Sequence, residues 1–145
     1  KQSGFVLQAD EVKVEASRLR DIPLLSRLRD EMLERISSLF ETENVAADRL
    51  VVKEGDPGDK FYIIVRGRAE AFKDLPDGTR KRFTIMGDGD VFGEMALLKN
   101  TPRTASVQTL DPSVFLTLAR KHFLEILEEA PGVREELEAV LAKRQ

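Results

Sequence analysis

Between Arg49 and Met86 the chain never runs long without a turn. "RLVVKEGDPGDKFYIIVRGRAEAF" strings β-branched and aromatic residues into bursts too short for a stable helix, each closed by Gly, Pro or Asp. In "EGDPGD", Glu54 to Asp59, Pro57 presets φ while Gly55 and Gly58 are free to take positive φ. Phe61, Ile63 and Val65 then alternate onto one face of a strand, and Gly67 sits where a bulge or a close backbone approach is expected. "DLPDGTRKRFTIM" reads as a hairpin with Pro76-Asp77-Gly78 at its tip and Phe83 and Ile85 on the return. "GDGD" at Gly87 to Asp90 is a further turn. Thr104 to Thr109 and Ser113 to Leu118 are two more strands, divided by Asp111-Pro112. A chain punctuated this way is bound to antiparallel pairing.

Helical periodicity flanks the strands. Met32, Leu33, Ile36, Leu39 and Phe40 fall on one helix face, with Asp30 and Glu31 near its N-terminus where negative charge is favoured. After the last strand, Phe123, Leu124 and Leu127 form one apolar stripe and Val133, Leu137, Val140 and Leu141 a second, separated by Ala130-Pro131-Gly132. The order predicts an α+β fold: an antiparallel β-roll, jelly-roll-like, over about 40–119, with a helix before it and two helices after it at about 121–144. Residues 1–21 read as a charged leader or linker, and 22–145 as one folded domain. The first residue is Lys1 rather than Met, from which a longer parent protein is expected.

Composition narrows the function. A net charge of −3 gives no basic surface for nucleic acid. The absence of cysteine removes disulfides, iron–sulfur clusters and a thiol nucleophile, and one histidine, His122, makes a poor metal site. No Ser-His-Asp or Cys-His set is available, so an enzyme is not expected. No apolar run is long enough to span a membrane. The fragment is expected in the cytoplasm, though its parent could be membrane-bound with this domain on the cytosolic side. The cations Arg80, Lys81 and Arg82 flank the hairpin tip and read as solvated, and Gly55, Gly67, Gly78 and Gly89 as turn or bulge residues.

One stretch carries more chemistry than a core requires. "VFGEMALLKNTPRTASVQ", Val91 to Gln108, sets Glu94 and Arg103 among Gly and apolar residues. Gly93 admits close backbone approach, and Glu94 to Leu98 reads as one short helical turn with N–H groups free at its start. Arg103 supplies a planar fork suited to two phosphate oxygens, while an ionised Glu94 accepts from hydroxyls. Anion and hydroxyl recognition together describe a sugar phosphate or nucleotide. The alternatives are a structural Glu94–Arg103 ion pair, or a fold that no longer binds ligand and serves as an interaction module.

These residues resemble the phosphate-binding cassette of the cyclic nucleotide-binding domain family, found in cAMP-dependent kinase regulatory subunits, cyclic nucleotide-gated channels and catabolite-activator-type regulators. The pattern F-G-E-[LM]-A-L, a spacer, and P-R-[AT]-A-x-V stands here as Phe92-Gly93-Glu94-Met95-Ala96-Leu97 and Pro102-Arg103-Thr104-Ala105-Ser106-Val107. The resemblance implies that Arg103 pairs with the exocyclic oxygens of a cyclic phosphate and that Glu94, beside the Gly93 backbone, accepts from the ribose 2′-hydroxyl. Backbone N–H groups at Ala96 and Thr104 complete the cradle, with Met95 and Ala105 adjoining. It further implies a base cap from the last helix, for which Arg134, Leu137, Val140 and Leu141 are candidates. Val51, Ile63 and Val65 are candidates to line the base pocket. Thr104 bears on the base: the matching place is typically Ala in cAMP-dependent kinase regulatory subunits and Thr in cGMP-dependent kinases, yet many bacterial cAMP binders carry a hydroxyl residue there, and cAMP is favoured over cGMP. No cofactor is implied. The partners implied are the nucleotide and an effector domain attached in the parent chain. Relatives that bind DNA do so through a helix-turn-helix beyond the last helix, so this fragment alone is expected to bind none.

Overall fold

The computed structural model describes residues 19, 20 and 22–143, the side chains of Met95, Val140, Leu141 and Lys143 excepted. The expected leader 1–21 therefore lies outside the described residues, apart from Leu19, which is buried, and Arg20, which pairs with Asp30. The chain forms two compact units, one spanning Glu43–Arg120 and the other made of the segments on either side of it.

The strands are β1 (Glu41–Val45), β2 (Leu50–Val52), β3 (Lys60–Arg66), β4 (Ala69–Asp74), β5 (Arg80–Met86), β6 (Val91–Phe92), β7 (Ser106–Thr109) and β8 (Ser113–Ala119). They build two four-stranded sheets, in the orders β1-β8-β3-β6 and β2-β7-β4-β5. The β3–β6, β3–β8, β4–β5, β4–β7 and β2–β7 pairs are all antiparallel. This is the expected β-roll.

Its core follows from strand alternation. Tyr62 and Ile64 of β3 meet Phe92, Phe115, Ala69, Met86 and Val107, with Val45, Val51, Val52 and Ala71 packed at the margin. The three rings are geometrically specific: Tyr62 and Phe92 stack at 4.7 Å between centroids, and Phe115 stands edge-on to both at 6.0 and 5.7 Å. Edge-to-face and offset pairs add about 0.5–1.5 kcal/mol each beyond burial.

The alternation corrects one expectation. Phe61 and Ile63 are both buried on the face of β3 opposite Tyr62 and Ile64, as their spacing predicts, and lie outside this cluster. Val65 does not share their face: the register with β8 shifts between Ile64 and Arg66, and Val65 is exposed. A bulge inserts one residue without a partner and so resets the side-chain alternation. Gly67, which follows, has a φ of 116°, and a Cβ there would lie 2.2 Å from Ser113 Oγ. The expected close backbone approach is therefore real.

The helical unit contains a 3-10 turn at Pro23–Leu25 and the helices α1 (Asp30–Ser37), α3 (Arg120–Glu129, from the strand junction) and α4 (Pro131–Lys143). Helix α1 starts with Asp30 and Glu31 as expected, but it ends at Ser37, so Leu39 and Phe40 lie past it. Leu33 and Ile36 form its buried face, and α4 packs against the 3-10 turn. Arg35 Nη2 donates to Glu129 Oε2 at 2.6 Å, and Arg27 lies 3.2 Å from Glu136. Pro131 begins α4 at a position where a missing N–H has no intrahelical partner to lose.

Because Phe115 is fully buried and holds both other rings edge-on, Phe115→Ala is expected to lower stability by about 3–5 kcal/mol, the range for an emptied aromatic site. Urea unfolding followed by circular dichroism measures it.

Candidate functional site

The stretch from Val91 to Gln108 folds as β6, a short helix α2 (Glu94–Lys99), a bend and β7. Gly93 caps α2 with a φ of 91°, a conformation that suits glycine. Asn100 closes the other end at φ 53°, its N–H donating to the Ala96 carbonyl. Asn tolerates that left-handed conformation better than most residues. The helix is thus one and a half turns with both ends fixed by backbone geometry.

Arg103 is held by its main chain and its side chain together. Its N–H donates to the Asp56 carbonyl at 2.8 Å and its own carbonyl accepts from Gly55 N at 2.9 Å. Pro57 and Pro102 bridge beside them, and Ser106 Oγ accepts from Glu54 N at 2.9 Å. The side chain, 5% exposed as a residue, sends Nη1 to the Gly93 carbonyl at 2.9 Å and Nη2 to the Lys60 carbonyl at 2.8 Å. Asp59 Oδ1 lies 3.9 Å from Nη2, and the Tyr62 ring centroid lies 5.9 Å from the guanidinium carbon. An arginine fork carries five N–H donors, so two carbonyl bonds orient it without saturating it.

Glycines set how closely this segment approaches the others. A Cβ at Gly93 would fall 2.7 Å from Arg103 Nη1 and 3.1 Å from the Lys60 carbonyl. A Cβ at Gly58 would fall 2.4 Å from the Ala96 Cβ. Gly58 was expected to supply positive φ, and it does not; Gly55 does, at 93°. The reason for glycine at position 58 is the seat of α2 against β3 and the turn before it.

The local electrostatics are asymmetric. Lys60 Nζ donates to Glu43 Oε2 at 3.0 Å, and that hydrogen bond holds the ammonium above its ordinary range. Burial pushes the Tyr62 phenol up, with the Glu43 charge adding to it. Among the described residues no group of His, Asp or Glu is arranged to hold a metal ion.

The structure places the expected residues as follows. Arg103 reaches the Gly93 carbonyl directly, Glu94 is 4% exposed at the first position of α2, and Ala96 is buried two residues further on. Met95 is helical, and its side chain lies outside the described residues. Thr104 is exposed and Ala105 half-buried, both in the bend before β7 rather than in the strand. Arg134 is exposed and Leu137 buried on α4; the side chains of Val140 and Leu141 lie outside the described residues. Reasoning from sequence passed over Gly58, Asp59 and Lys60. Their only signal was the turn "DPGDK", in which Gly58 was read as a turn residue and Lys60 acts through a carbonyl that no side chain announces.

A family model for the cyclic nucleotide-binding domain matches residues 42–130. A cAMP-dependent protein kinase regulatory subunit of Emericella nidulans is 38% identical over 109 residues, which cover 75% of this chain and 26% of that protein. Isozyme 1 of the cGMP-dependent protein kinase of Drosophila melanogaster is 34% identical over 122 residues, covering 81% of this chain and 16% of that one. The regulatory domain of Toxoplasma gondii PKA, co-crystallised with cAMP, superposes with a TM-score of 0.78 at 26% identity, over 88% of this chain and 48% of that chain. The chain thus spans about a quarter of the regulatory subunit and less of the kinase.

A Cβ at position 58 meets a helix that has no slack at either end. Gly58→Ala is therefore expected to lower stability by about 1–3 kcal/mol, as overpacking does. Gly78→Ala is the control, because nothing lies within 4 Å of a Cβ there and only its positive φ of 89° is strained. Thermal melts of the two variants separate steric from backbone strain.

Proposed function

The chain belongs to the cyclic nucleotide-binding domain family, and from that premise we propose that it is a non-catalytic cyclic nucleotide sensor that regulates a larger parent protein. The observation that carries the reading is the buried Arg103 guanidinium, which two neutral carbonyls orient and do not neutralise. A buried cation held this way is matched by an anion with two oxygens in its plane. Arg103 takes the exocyclic phosphate oxygens, and the backbone N–H groups of Ala96 and Thr104 complete the cradle. Glu94 takes the ribose 2′-hydroxyl, because an ionised carboxylate accepts only, and Gly93 leaves the ribose room beside it. Asp59, exposed and 3.9 Å from Arg103 Nη2, offers only a screened counter-charge, which an incoming phosphate would replace.

We favour cAMP over cGMP. The co-crystallised Toxoplasma relative carries cAMP, while the Drosophila relative is named for cGMP, so Thr104 is the residue to interrogate. Thr104 is exposed in the bend before β7, directly after Arg103. Coupling to an attached effector requires tighter nucleotide binding in one state of the parent than in another. We place the domain in the cytosol of its cell, where such nucleotides are made.

Calorimetric titration tests the reading. The chain is expected to bind cAMP, and to bind 2′-deoxy-cAMP more weakly because Glu94 loses its partner. No heat with either cAMP or cGMP up to millimolar concentration would sink the proposal. Arg103→Ala is expected to weaken binding by about 2–5 kcal/mol, the scale for removing one partner of a buried charge contact. Thr104→Ala, titrated with both nucleotides, is expected to lower cGMP affinity selectively; an equal effect on both removes Thr104 from base choice.

A further inference from the structure

The cations Arg80, Lys81 and Arg82 have no part in the nucleotide reading, and their setting is informative. β5 closes its sheet: it pairs with β4 on one side and is the edge on the other. Every residue from Arg80 to Ile85 is exposed, including Phe83 at 47% and Ile85 at 55%. The ladder with β4 slips here. Ala71 faces Thr84 and Phe72 faces Arg82, which leaves Phe83 as the extra residue of a bulge. The segment is therefore extended and exposed, with Thr84 beside the break in the ladder, on the strand face that continues to the buried Met86.

Its sequence is directional as well as basic. Thr84 has a cation two, three and four residues before it and the apolar Ile85 directly after it. No other Ser or Thr in the chain has cations both two and three residues before it. Ser38 has Arg35 three before and Ser37 has Arg35 two before, but both sit at the end of α1, where their hydroxyls bond to helix carbonyls. Ser106 has Arg103 three before it, but both are buried. Thr84 alone combines the cations with an exposed, extended backbone. Kinases of the basic-directed class bind their targets as extended segments, reading the cations with carboxylates of the cleft.

We propose that Thr84 is a phosphorylation site for a basic-directed serine/threonine kinase. Thr84 Oγ1 attacks the γ-phosphorus of Mg-ATP; the new O–P bond forms as the bond to the β,γ-bridging oxygen breaks, ADP leaves, and the hydroxyl proton passes to the catalytic carboxylate of the kinase. The hydroxyl is available, since its closest acceptor, the Ile85 carbonyl, is at 3.5 Å. The cations are available in different degrees. Arg80 is engaged by Asp74 and lies over the Phe72 ring, and Arg82 by Glu70, whereas Lys81 has no carboxylate partner among the described residues. The exposed Arg80–Asp74 pair gives way readily to a better-placed carboxylate, whereas releasing Arg82 from the buried Glu70 costs more.

The hairpin also has a place for the product. Lys73 and Lys81 stand directly opposite each other across the β4–β5 ladder, on the face of β4 that Ala71 shares and Thr84 meets. Like charges in such a pair destabilise a sheet, and only Lys73 has a carboxylate near it, Glu54 at 3.9 Å. A phosphate on Thr84 brings two negative charges and three acceptors beside that lysine pair. The modified hairpin is therefore more stable than the unmodified one.

The test is to incubate the folded chain with Mg-ATP and the catalytic subunit of cAMP-dependent protein kinase, then map phosphate by tandem mass spectrometry. The expected result is phosphate on Thr84, absent from Thr84→Val, and added at least about tenfold more slowly to the chain carrying Lys81→Gln and Arg82→Gln, which lacks the charge-assisted contacts. The phosphorylated chain is expected to melt at a higher temperature. Phosphate only elsewhere, no phosphate, or phosphate on Thr84 only after the chain is unfolded overturns the proposal. Should either variant fail to fold by circular dichroism, the map of the unsubstituted chain decides alone. A lower melting temperature after modification would overturn the pairing with the lysines.

Discussion

The β-unit depends on one residue being held twice. Arg103 donates and accepts through its main chain to the turn at Gly55–Asp56, and its guanidinium reaches the carbonyls of Lys60 and Gly93. Those bonds draw together the turn before β3, the first residue of β3, the cap of α2 and the entry to β7. A buried guanidinium without such partners would be strongly unfavourable, so the fold and the orientation of the fork are one fact rather than two.

That double hold explains why part of the site was legible and part was not. Gly93, Glu94, Ala96 and Arg103 announce themselves in sequence, because a carboxylate and a guanidinium amid Gly and apolar residues have few bland explanations. The supports of Arg103 do not. Lys60 and Gly93 act through carbonyls, which every residue possesses, and Asp59 through a carboxylate that reads as an ordinary turn residue. Gly58 was misassigned for a related reason. Sequence identifies a glycine in a turn, but positive φ and close approach by another element look the same until the neighbour, here Ala96, is seen.

The fold divided along a similar line. Turn chemistry at Pro57, Pro76-Asp77-Gly78 and Asp111-Pro112 marked the strand ends well, since each rests on local backbone preference. What failed was the sidedness of β3 near its end. Val65 was placed by counting twos, and counting twos breaks at a bulge whose position is set by the partner strand β8. The same kind of slip in β5, at Phe83, brings Thr84 and the exposed apolar pair into the arrangement that distinguishes this edge. Helix α1 was placed correctly at its start, where Asp30 and Glu31 favour the dipole, and overrun at its end, where no glycine or proline marks the stop.

Gly58 and Ala96 set the depth at which the short helix seats. With only 2.4 Å between the Ala96 Cβ and the place a Cβ would take at position 58, a methyl group added there has to push α2 or the turn aside. Two small residues far apart in sequence therefore act as a single spacer, gauging how near the α2 backbone comes to the turn that holds Arg103.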